Sequence, residues 1–409
     1  MTIGIVGGSI AGCSAAILLA RAGHQVTVFE RSRARLQGRG GGIATPMTTF
    51  KSLLEENILD AGFPHTVTDE MPFVGRAPTE NRAGHTPWSL PIDLACFHWG
   101  TLWENLRKRV PDEHYLSSRN VVAARMQDAG TVVLELEEGE THCFDLVLFA
   151  DGYRSLGRQL CFPETSLSYR GYVLWRGVLP ESRMSDRQTL GTRMVRISYP
   201  NLGGHMVAYL VPGFDGSVRQ GERLYNWGAY IPAAEDNLQG FLTDRNGVQH
   251  SGSLPPGSIR PELESRLKQL MADHLPAYYA DIVSLTDQTY IQPIYTIDLP
   301  GYARDRIGLL GDAGILVQPH TASGIFKGIN NAEDLIQSLL TGGSVEESLA
   351  EWSRIQTERG KQILELGEQI ERALIWEAPN FSTTDTEATQ SWWESSVKFP
   401  DGFAYRDKY

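Results

Sequence analysis

The first thirty residues contain the pattern that most limits what this chain can fold into. An apolar segment at 3–6 leads into a glycine turn, a helix-forming segment follows, and a second apolar segment ends at the acidic Glu30. Gly7 permits a tight turn, and Gly12 lets the following helix lie close to the first strand. Strand, turn, helix, strand and terminal acid in this order predict a βαβ unit that binds an adenine dinucleotide. The alternative is an ordinary strand-to-helix turn.

Each small or polar residue of this unit has a predicted contact. Ser9 replaces the central glycine of the G-x-G-x-x-G pattern and is small enough to allow close backbone approach. Amides at the helix N-terminus would face the pyrophosphate, and the Glu30 carboxylate would accept the ribose hydroxyls and repel a 2′-phosphate. The predicted dinucleotide contacts are Gly7, Ser9, Ile10, Ala11, Gly12, Glu30 and Arg31.

Two later segments repeat the form of an apolar strand that ends in a turn with an acid. The segment at 146–149 leads into a turn with Asp151, Gly152 and Arg154. The segment at 307–310 leads into Gly311 and Asp312, then a turn at 319–324, and a helix that begins near Ser323. Carboxylates at the carboxyl ends of parallel strands face the ligand crevice of such folds. Each acid could instead simply close its turn.

With three motifs in this order, the chain resembles the class A flavoprotein aromatic hydroxylases, which have the para-hydroxybenzoate hydroxylase fold, over about residues 1–370. The resemblance implies an α/β fold with a Rossmann-like FAD-binding domain, an inserted antiparallel β-sheet substrate domain and C-terminal helices. The expected divisions are 1–162 and 296–376 for the FAD-binding domain, 163–295 for the substrate domain, and 377–409 for an aromatic-rich tail.

The resemblance also implies noncovalent FAD and assigns its contacts. Asp312, after Gly311, would bond a ribityl hydroxyl or a group near the pyrophosphate, and the 151–154 turn would touch both FAD and an incoming nicotinamide. The amides of Ser323 and Gly324 would point at the flavin N1/O2 edge, where a helix N-terminus stabilises negative charge. The glycine-rich stretch at 39–43 would approach FAD or the mouth of the site, or form a flexible loop. The contacts so implied are Arg39, Gly42, Asp151, Gly152, Arg154, Gly311, Asp312, Ser323 and Gly324.

The activity implied is a monooxygenase that hydroxylates a phenol or hydroxypyridine through a C4a-hydroperoxyflavin, with O2 and NADH or NADPH as a transient cosubstrate. Pro319 and His320 are the implied catalytic pair, and His320 would contact substrate or transfer a proton; it could also be a turn or surface histidine. The Gly-Gly-Ser turn and the Pro319-His320 pair are most similar to hydroxypyridine monooxygenases of the 2,6-dihydroxypyridine 3-hydroxylase type. Trp99 stands where most class A enzymes have an arginine that helps bind FAD.

Alternating, aromatic-rich segments between 163 and 295 predict an antiparallel sheet that walls an aromatic substrate. Arg176 in this region either anchors an anionic substrate or lies exposed on its strand. The pocket candidates are all on the predicted sheet, although each taken singly is more typical of core than of a contact: His205, Tyr209, Tyr225, Trp227 and Tyr295.

Composition excludes other classes. The chain has 409 residues, 41% of them hydrophobic, and a formal net charge of −12, which permits a large core and gives no basic surface for nucleic acid or membrane. The four cysteines lack metal-ligand spacing, so we expect reduced thiols, no metal site and a cytoplasmic protein. The helical region at 344–376 should cover the FAD domain or meet a partner in a homodimer, and the aromatic residues after 377 should pack on the body or a neighbour.

Two functions from other classes stay open. A flavin-dependent halogenase would share the fold, and the segment YNWGAYIP resembles part of a halogenase signature, but Ala229 replaces its second tryptophan. A noncatalytic FAD-binding protein would bind FAD without accelerating NAD(P)H oxidation.

Overall fold

The computed structural model of the protein describes residues 1–33, 36, 40–77, 81–127, 130–324 and 326–398. Arg39, a predicted cofactor contact, and Phe399, Phe403 and Tyr405 of the aromatic-rich tail lie outside the described residues. The strands are β1 (Thr2–Val6), β2 (Gln25–Glu30), β3 (Gly42–Pro46), β4 (Thr66–Gly75), β5 (His85–His98), β6 (Tyr115–Ser117), β7 (Val121–Met126), β8 (Val132–Leu136), β9 (Thr141–Phe144), β10 (Leu146–Phe149), β11 (Ser168–Pro180), β12 (Val195–Ser198), β13 (His205–Val211), β14 (Leu224–Pro232), β15 (Thr289–Thr296), β16 (Ala303–Arg304) and β17 (Ile307–Leu309).

The α-helices alternate with these strands and then dominate the C-terminal part of the described chain. They are α1 (Ile10–Arg21), α2 (Met47–Glu55), α3 (Trp99–Arg107), α4 (Leu156–Cys161), α5 (Glu235–Leu242), α6 (Pro261–His274), α7 (Ala277–Ser284), α8 (Phe326–Leu340), α9 (Val345–Glu371) and α10 (Thr386–Ser396). Single 3-10 turns lie at Gly311–Ala313 and Pro319–Thr321, and a π-helical turn over Arg372–Trp376 continues α9. Among the described residues, no helix is both long and apolar enough to cross a bilayer.

A six-stranded sheet in the order β16-β17-β10-β1-β2-β6 carries the three motifs found in the sequence. Its strands are parallel except for β16, and all four residues of β10 are buried. Leu146 and Leu148 pack in the cluster that holds α1 and α8, whereas Val147 and Phe149 pack in the cluster that holds β8. Because successive side chains of a strand point to opposite faces, this continuous apolar run covers both faces of the sheet.

An eight-stranded sheet in the order β15-β11-β14-β13-β12-β4-β5-β3 forms the second layer. Its pairs are antiparallel except for β12 and β4. Three of its strands come from residues 42–98, ahead of position 163, so the sheet draws on two separate stretches of the chain. The predicted α/β fold with a Rossmann-like domain, an antiparallel sheet and C-terminal helices is confirmed.

The two faces of this sheet have different roles. On β14, Tyr225 and Trp227 point to one face and pack in the cluster that contains residues of α6 and α7. Asn226 and Gly228 point to the other face, where they line a cavity. The aromatic face is therefore core, and the face with small and polar residues is open to a ligand.

The C-terminal helices cover both layers. The first turn of α9 is fixed by a capping box, in which the Ser344 hydroxyl accepts from the Glu347 amide and the Glu347 carboxylate accepts from the Ser344 amide. After the π-helical turn, α10 brings Trp392 and Trp393 against Phe73, with ring centroids 5.6 and 5.2 Å apart. The aromatic residues of the tail that the structure describes thus pack on the body of the protein.

Candidate active site

The first strand-to-helix turn is so close-packed that only glycine fits at two positions. Gly7 has φ +103°, and a Cβ there would lie 2.4 Å from the carbonyl oxygen of Ala150. A Cβ on Gly12 would lie 1.9 Å from the carbonyl oxygen of Gly7. Both distances are far below van der Waals contact, so the glycines allow α1 and the carboxyl end of β10 to meet at this turn.

The N-terminus of α1 offers unpaired amide groups to the space beside it. Its N-cap residue, Ser9, makes no side-chain capping bond, and the first intrahelical bond runs from the amide of Cys13 to the carbonyl of Ser9. Glu30, at the end of β2, accepts from the amides of Gly8 and Ser32, both at 2.8 Å. Each of its oxygens is thereby fixed and keeps a second lone pair for a ligand hydroxyl.

The turns after β10 and β17 place two acids beside this helix terminus. One oxygen of Asp151 accepts from the amide of Leu156 at 2.7 Å, and burial raises the pKa of its carboxyl. Asp312 follows Gly311, whose φ of +58° bends the chain, and its carboxylate meets the ammonium of Lys327 at 2.6 Å. Strand ends of a parallel sheet thus converge on one crevice.

These turns enclose a cavity of about 360 Å³, here called the turn cavity. A second cavity of about 320 Å³, the sheet cavity, lies between the eight-stranded sheet and the turn at 319–324. Trp99, Asp312 and Gly324 belong to the walls of both, so the two spaces adjoin. An elongated ligand held by the α1 terminus would reach from the first into the second.

The structure brings most predicted cofactor contacts into the turn cavity. Its walls include Gly7, Ser9, Ile10, Ala11, Glu30, Arg31, Asp151, Gly152, Arg154, Gly311, Asp312 and Gly324. Gly42 lies in the wall of the sheet cavity instead. Gly12 and Ser323 stand behind the walls, where Gly12 permits the close approach of α1 and the Ser323 hydroxyl lies 2.8 Å from that of Thr321. The prediction for Arg39 falls outside the described residues.

The predicted substrate residues divide between the two faces of the sheet. Tyr209 lies in the sheet-cavity wall. His205 lies behind it, where its Nε2 is 2.8 Å from Nη1 of the wall residue Arg196. Tyr225 and Trp227 lie on the core face, and the Trp227 indole donates to Thr286 Oγ1.

Tyr295 also lies away from the cavity wall. Its ring meets that of Tyr169 at 5.5 Å, near the irregular register between β11 and β15. The alternation of a β-strand explains the division, because residues one position apart point to opposite faces. Apart from Tyr209, the sheet cavity therefore takes its polar groups from residues that the aromatic pattern did not single out.

Two arginines dominate the sheet cavity. Arg196 on β12 is buried and Arg176 on β11 donates to the carbonyl of Gly42 at 3.2 Å. Neither forms a salt bridge with the described residues. The carboxylate in this wall, Asp312, is already paired with Lys327. The wall therefore carries an excess of positive charge that an anionic ligand would balance.

His320 lies buried in the wall of the sheet cavity, in the turn that the sequence predicted. Burial lowers its pKa to about 4, so the imidazole is neutral at physiological pH. Its Nε2 lies 3.0 Å from the carbonyl oxygen of Gly367, which can only accept, so Nε2 carries the proton and Nδ1 is an acceptor. Pro319 lies in the same wall.

Helix α9 supports this turn from behind. Gly367 has no side chain, and a Cβ there would lie 2.2 Å from Oε1 of Gln318. One turn later, the buried Glu371 accepts from Nε2 of Gln318 at 2.8 Å and from Nε and Nη2 of Arg170 at 3.0 and 2.7 Å. The turn at 319–324 thus rests on one face of α9 through a glycine and a paired carboxylate.

Sequence reasoning missed several wall residues. Arg196, Asn226, Gln292, Gln318 and Lys327 lie in the sheet-cavity wall. For those on strands, a signal existed: Arg196 and Asn226 alternate with buried apolar neighbours, which marks a polar residue on a covered face. Gln318 and Lys327 gave no comparable signal, since their partners are distant in sequence.

Comparisons with known proteins agree with this geometry. A family model described as an NAD(P)-binding Rossmann-like domain matches residues 5–51, and one described as FAD binding domain-like matches residues 169–296. The 2,6-dihydroxypyridine 3-monooxygenase of Paenarthrobacter nicotinovorans is 29% identical over 371 residues, which cover 88% of each chain. The 6-hydroxynicotinate 3-monooxygenase of Bordetella bronchiseptica is 24% identical over 81% of this chain and 80% of its own.

A solved structure gives the same result. The 2,6-dihydroxypyridine-3-hydroxylase from Arthrobacter nicotinovorans superposes with a TM-score of 0.82 and 25% identity, and covers 94% of this chain and 96% of its own. The chain is a class A FAD-dependent aromatic hydroxylase. Within that class it is similar to the 2,6-dihydroxypyridine monooxygenases, and it hydroxylates an aromatic substrate with FAD and NAD(P)H. The halogenase alternative has no support among these relatives.

The residues present fit FAD. The glycine turn, the free amides of α1 and the fixed Glu30 carboxylate match a pyrophosphate and an adenosine ribose. The adjoining cavities leave room for a ligand that passes the shared wall residues Trp99, Asp312 and Gly324. When bound there, FAD supplies the redox chemistry with O2, and the protein supplies binding, orientation and electrostatics.

Proposed function

We propose that the protein hydroxylates a small aromatic ring that binds as an anion, of the hydroxypyridine class. The observation that carries this proposal is the pair Arg176 and Arg196 in the sheet-cavity wall, without a carboxylate partner among the described residues. A ring hydroxyl beside two guanidinium groups ionises more readily, because nearby positive charge lowers the pKa of an acid. Two relatives, a 2,6-dihydroxypyridine 3-monooxygenase and a 6-hydroxynicotinate 3-monooxygenase, support the same class.

In this proposal the protein activates the ring through its charge. Loss of the hydroxyl proton increases electron density on the ring, which favours transfer of oxygen to it. Arg196 and Arg176 hold the anionic oxygen, and the Asn226 and Gln292 amides of the same wall bond to ring heteroatoms.

His320 has a different part. Because its pKa of about 4 leaves it neutral, its Nδ1 accepts a hydrogen bond from a second ring hydroxyl or a ring N–H. The buried turn behind it excludes water from that side of the ring. His320 therefore orients the ring, while the arginines provide the charge.

A matched substrate series tests this proposal. The FAD-loaded protein would receive 2,6-dihydroxypyridine, 6-hydroxynicotinate, salicylate and the O-methylated form of each, with NADH and NADPH in parallel. We expect substrate-dependent NAD(P)H oxidation and a mass gain of one oxygen for ionisable rings only. Equal hydroxylation of an O-methylated ring and its parent would contradict activation through an ionised ring hydroxyl.

Three further features belong to the proposal. The pyridine nucleotide binds transiently, as expected for a chain in which one glycine-rich βαβ unit serves FAD. The buried thiols of Cys13, Cys96 and Cys161 support a reducing compartment, consistent with the cytoplasm. A homodimer would appear as twice the chain mass in light scattering, and a single chain mass at micromolar concentration would contradict it.

A further inference from the structure

Lys327 is a buried cation that no motif of the sequence explains. It lies in the first turn of the described part of α8, and its side chain is 4% exposed. Its ammonium donates to the carbonyl of Ile315 at 2.7 Å and lies 2.6 Å from Oδ1 of Asp312. Burying a charge is costly unless it is paired and hydrogen-bonded, so these two partners account for its placement.

The other member of the pair faces the cofactor. The Asp312 side chain is 43% exposed and belongs to the walls of both cavities. The backbone of its turn is held separately, because Nη1 of Arg158 donates to the carbonyls of Asp312 and Ala313 at 3.2 Å, and Asn331 accepts from the amide of Gly311. Lys327 therefore holds the side chain of Asp312 in position, while Arg158 and Asn331 hold the backbone of its turn.

The charges around the turn cavity explain why the Lys327–Asp312 ion pair would matter for binding FAD. FAD carries two negative charges on its pyrophosphate, and the wall that receives it contains the carboxylates of Glu30, Asp151 and Asp312 beside the guanidinium groups of Arg31, Arg119 and Arg154. Glu30 accepts from two amides, and burial raises the pKa of the Asp151 carboxyl. Asp312 is the wall acid that meets a full positive charge. An unpaired carboxylate in its place would repel the cofactor.

We infer that Lys327 is a positioning residue for FAD, which neutralises Asp312 and aims its free oxygen at the cofactor. The pair then presents an acceptor for a FAD hydroxyl without net charge. This role depends on the FAD site and not on the identity of the ring that is hydroxylated. It predicts that Lys327 matters only while residue 312 is a carboxylate.

A double-mutant cycle on FAD affinity tests the inference. Apoprotein would be prepared from wild type, Lys327→Met, Asp312→Asn and the double variant, and each would be titrated with FAD by quenching of flavin fluorescence. We expect Lys327→Met to raise the Kd at least tenfold in the wild-type background and less than threefold in the Asp312→Asn background. The same factor in both backgrounds would overturn the inference.

Two controls separate this role from general stability. Lys268 also bridges two carbonyls, those of Ser284 and Thr286, but lies in α6, away from both cavity walls. Lys268→Met should leave the FAD Kd within twofold of wild type, and a loss equal to that of Lys327→Met would count against the inference. If Lys327→Met apoprotein fails to fold, Lys327→Arg and Lys327→Gln take its place. The arginine variant should then bind FAD at least fivefold more tightly than the glutamine variant, and equal affinities would refute the role of charge.

Discussion

The two adjoining cavities are built in opposite ways. The turn cavity is lined by short stretches at the ends of parallel strands, and it offers a ligand mainly backbone amides and close-packed glycines. The sheet cavity is lined by side chains from one face of an antiparallel sheet, together with a turn supported by α9. The first therefore depends on backbone geometry and the second on individual side chains.

This difference predicts separable effects of substitution. A change in the turn cavity should act on FAD binding when it alters the backbone or adds bulk. A change in the sheet cavity should leave FAD bound and act on the ring, because its polar groups belong to side chains. Four predictions follow that comparison from the largest expected effect to the smallest.

Gly12→Val should abolish FAD binding, with a Kd at least a hundredfold above that of wild type. A Cβ at this position would lie 1.9 Å from the Gly7 carbonyl oxygen, so α1 must move away from the turn. The flavin content of the purified protein and a fluorescence titration measure the loss. Gly62→Ala is the matched control, because no atom lies within 4 Å of its added Cβ. Normal flavin content in Gly12→Val would show that the cavity does not depend on this contact.

Arg196→Gln should lower kcat/KM for an anionic ring about 10- to 100-fold and leave the FAD Kd unchanged. A hydrogen bond to a charged group contributes about 1.5–3 kcal/mol, which corresponds to that range. Steady-state kinetics with 2,6-dihydroxypyridine and a flavin titration give the two readouts. Arg193→Gln serves as control, since Arg193 bonds to the carbonyl of Leu190 and lies outside both cavity walls. A parallel loss of FAD affinity in the Arg196 variant would contradict the separation of the cavities.

Glu371→Gln should reduce the product formed per NAD(P)H oxidised about threefold to tenfold. The amide cannot accept from Arg170 and Gln318 as the carboxylate does, so the turn that carries His320 loses its fixed position. Product and hydrogen peroxide would be measured in the same reaction. Glu368→Gln provides the control, because Glu368 meets the same arginine at 3.5 Å but is half-exposed. Equal coupling in the two variants would remove α9 from the support of the site.

The smallest expected effect is the part of the pH dependence of folding stability that comes from His320. Its pKa is about 4 in the folded protein and 6.5 in its ordinary state, so below pH 6.5 the unfolded chain takes up a proton that the folded one does not. Stability should therefore fall as pH decreases from 6.5 toward 4. Between pH 6.5 and 5.5 the loss is roughly 1 kcal/mol.

His320→Gln should remove this component. We expect its Tm to fall by about 2 °C less than that of wild type between pH 7 and 5.5, measured by calorimetry on the FAD-loaded protein. His205→Gln gives the comparison for the second buried histidine, whose pKa burial and Arg196 also lower. Parallel pH profiles for wild type and His320→Gln would show that His320 takes up its proton equally in both states.

The sequence predicted the turn cavity well because its determinants are local. The strand predicted at 146–149 is β10, and the predicted 307–310 strand is β17 with one residue fewer. Gly12 is required because a Cβ there would meet the carbonyl oxygen of Gly7, five residues earlier. Gly7 is required because a Cβ there would meet the carbonyl oxygen of Ala150, directly after the neighbouring strand β10. Such constraints appear in consecutive residues, where a motif can display them.

Part of the eight-stranded sheet escaped prediction for a different reason. Strands β4 and β5 were not predicted, because Pro72, Pro87 and Pro91 interrupt them and proline normally argues against a strand. The pairing of β4 with β5 is irregular at two places. One irregularity lies between Thr68 and Glu70, next to the pair of Glu70 with Pro91, and the other lies between Phe73 and Gly75, next to the pair of Pro72 with Ser89. The pairing partners on β5 and β12 decide the conformation here, and they are not visible in the local sequence.

Buried charges were equally invisible. The partners of Glu371 include Arg170, 201 residues earlier, and Lys327 meets Asp312 only because α8 returns to the end of β17. Tyr225 and Trp227 show the reverse error, since aromatic side chains attract attention as ligand contacts although their face of β14 is core. The alternation with Asn226 and Gly228 was the available signal.

The narrow boundary between the cavities bears on how such a protein can change. Only three residues in the described walls, Trp99, Asp312 and Gly324, serve both spaces. Lineages could therefore exchange the side chains of β12, β13 and β14 to accept new rings while inheriting the cofactor apparatus intact. In a directed-evolution library confined to those strands, most variants should still bind FAD. The three boundary positions should be held constant in such a library.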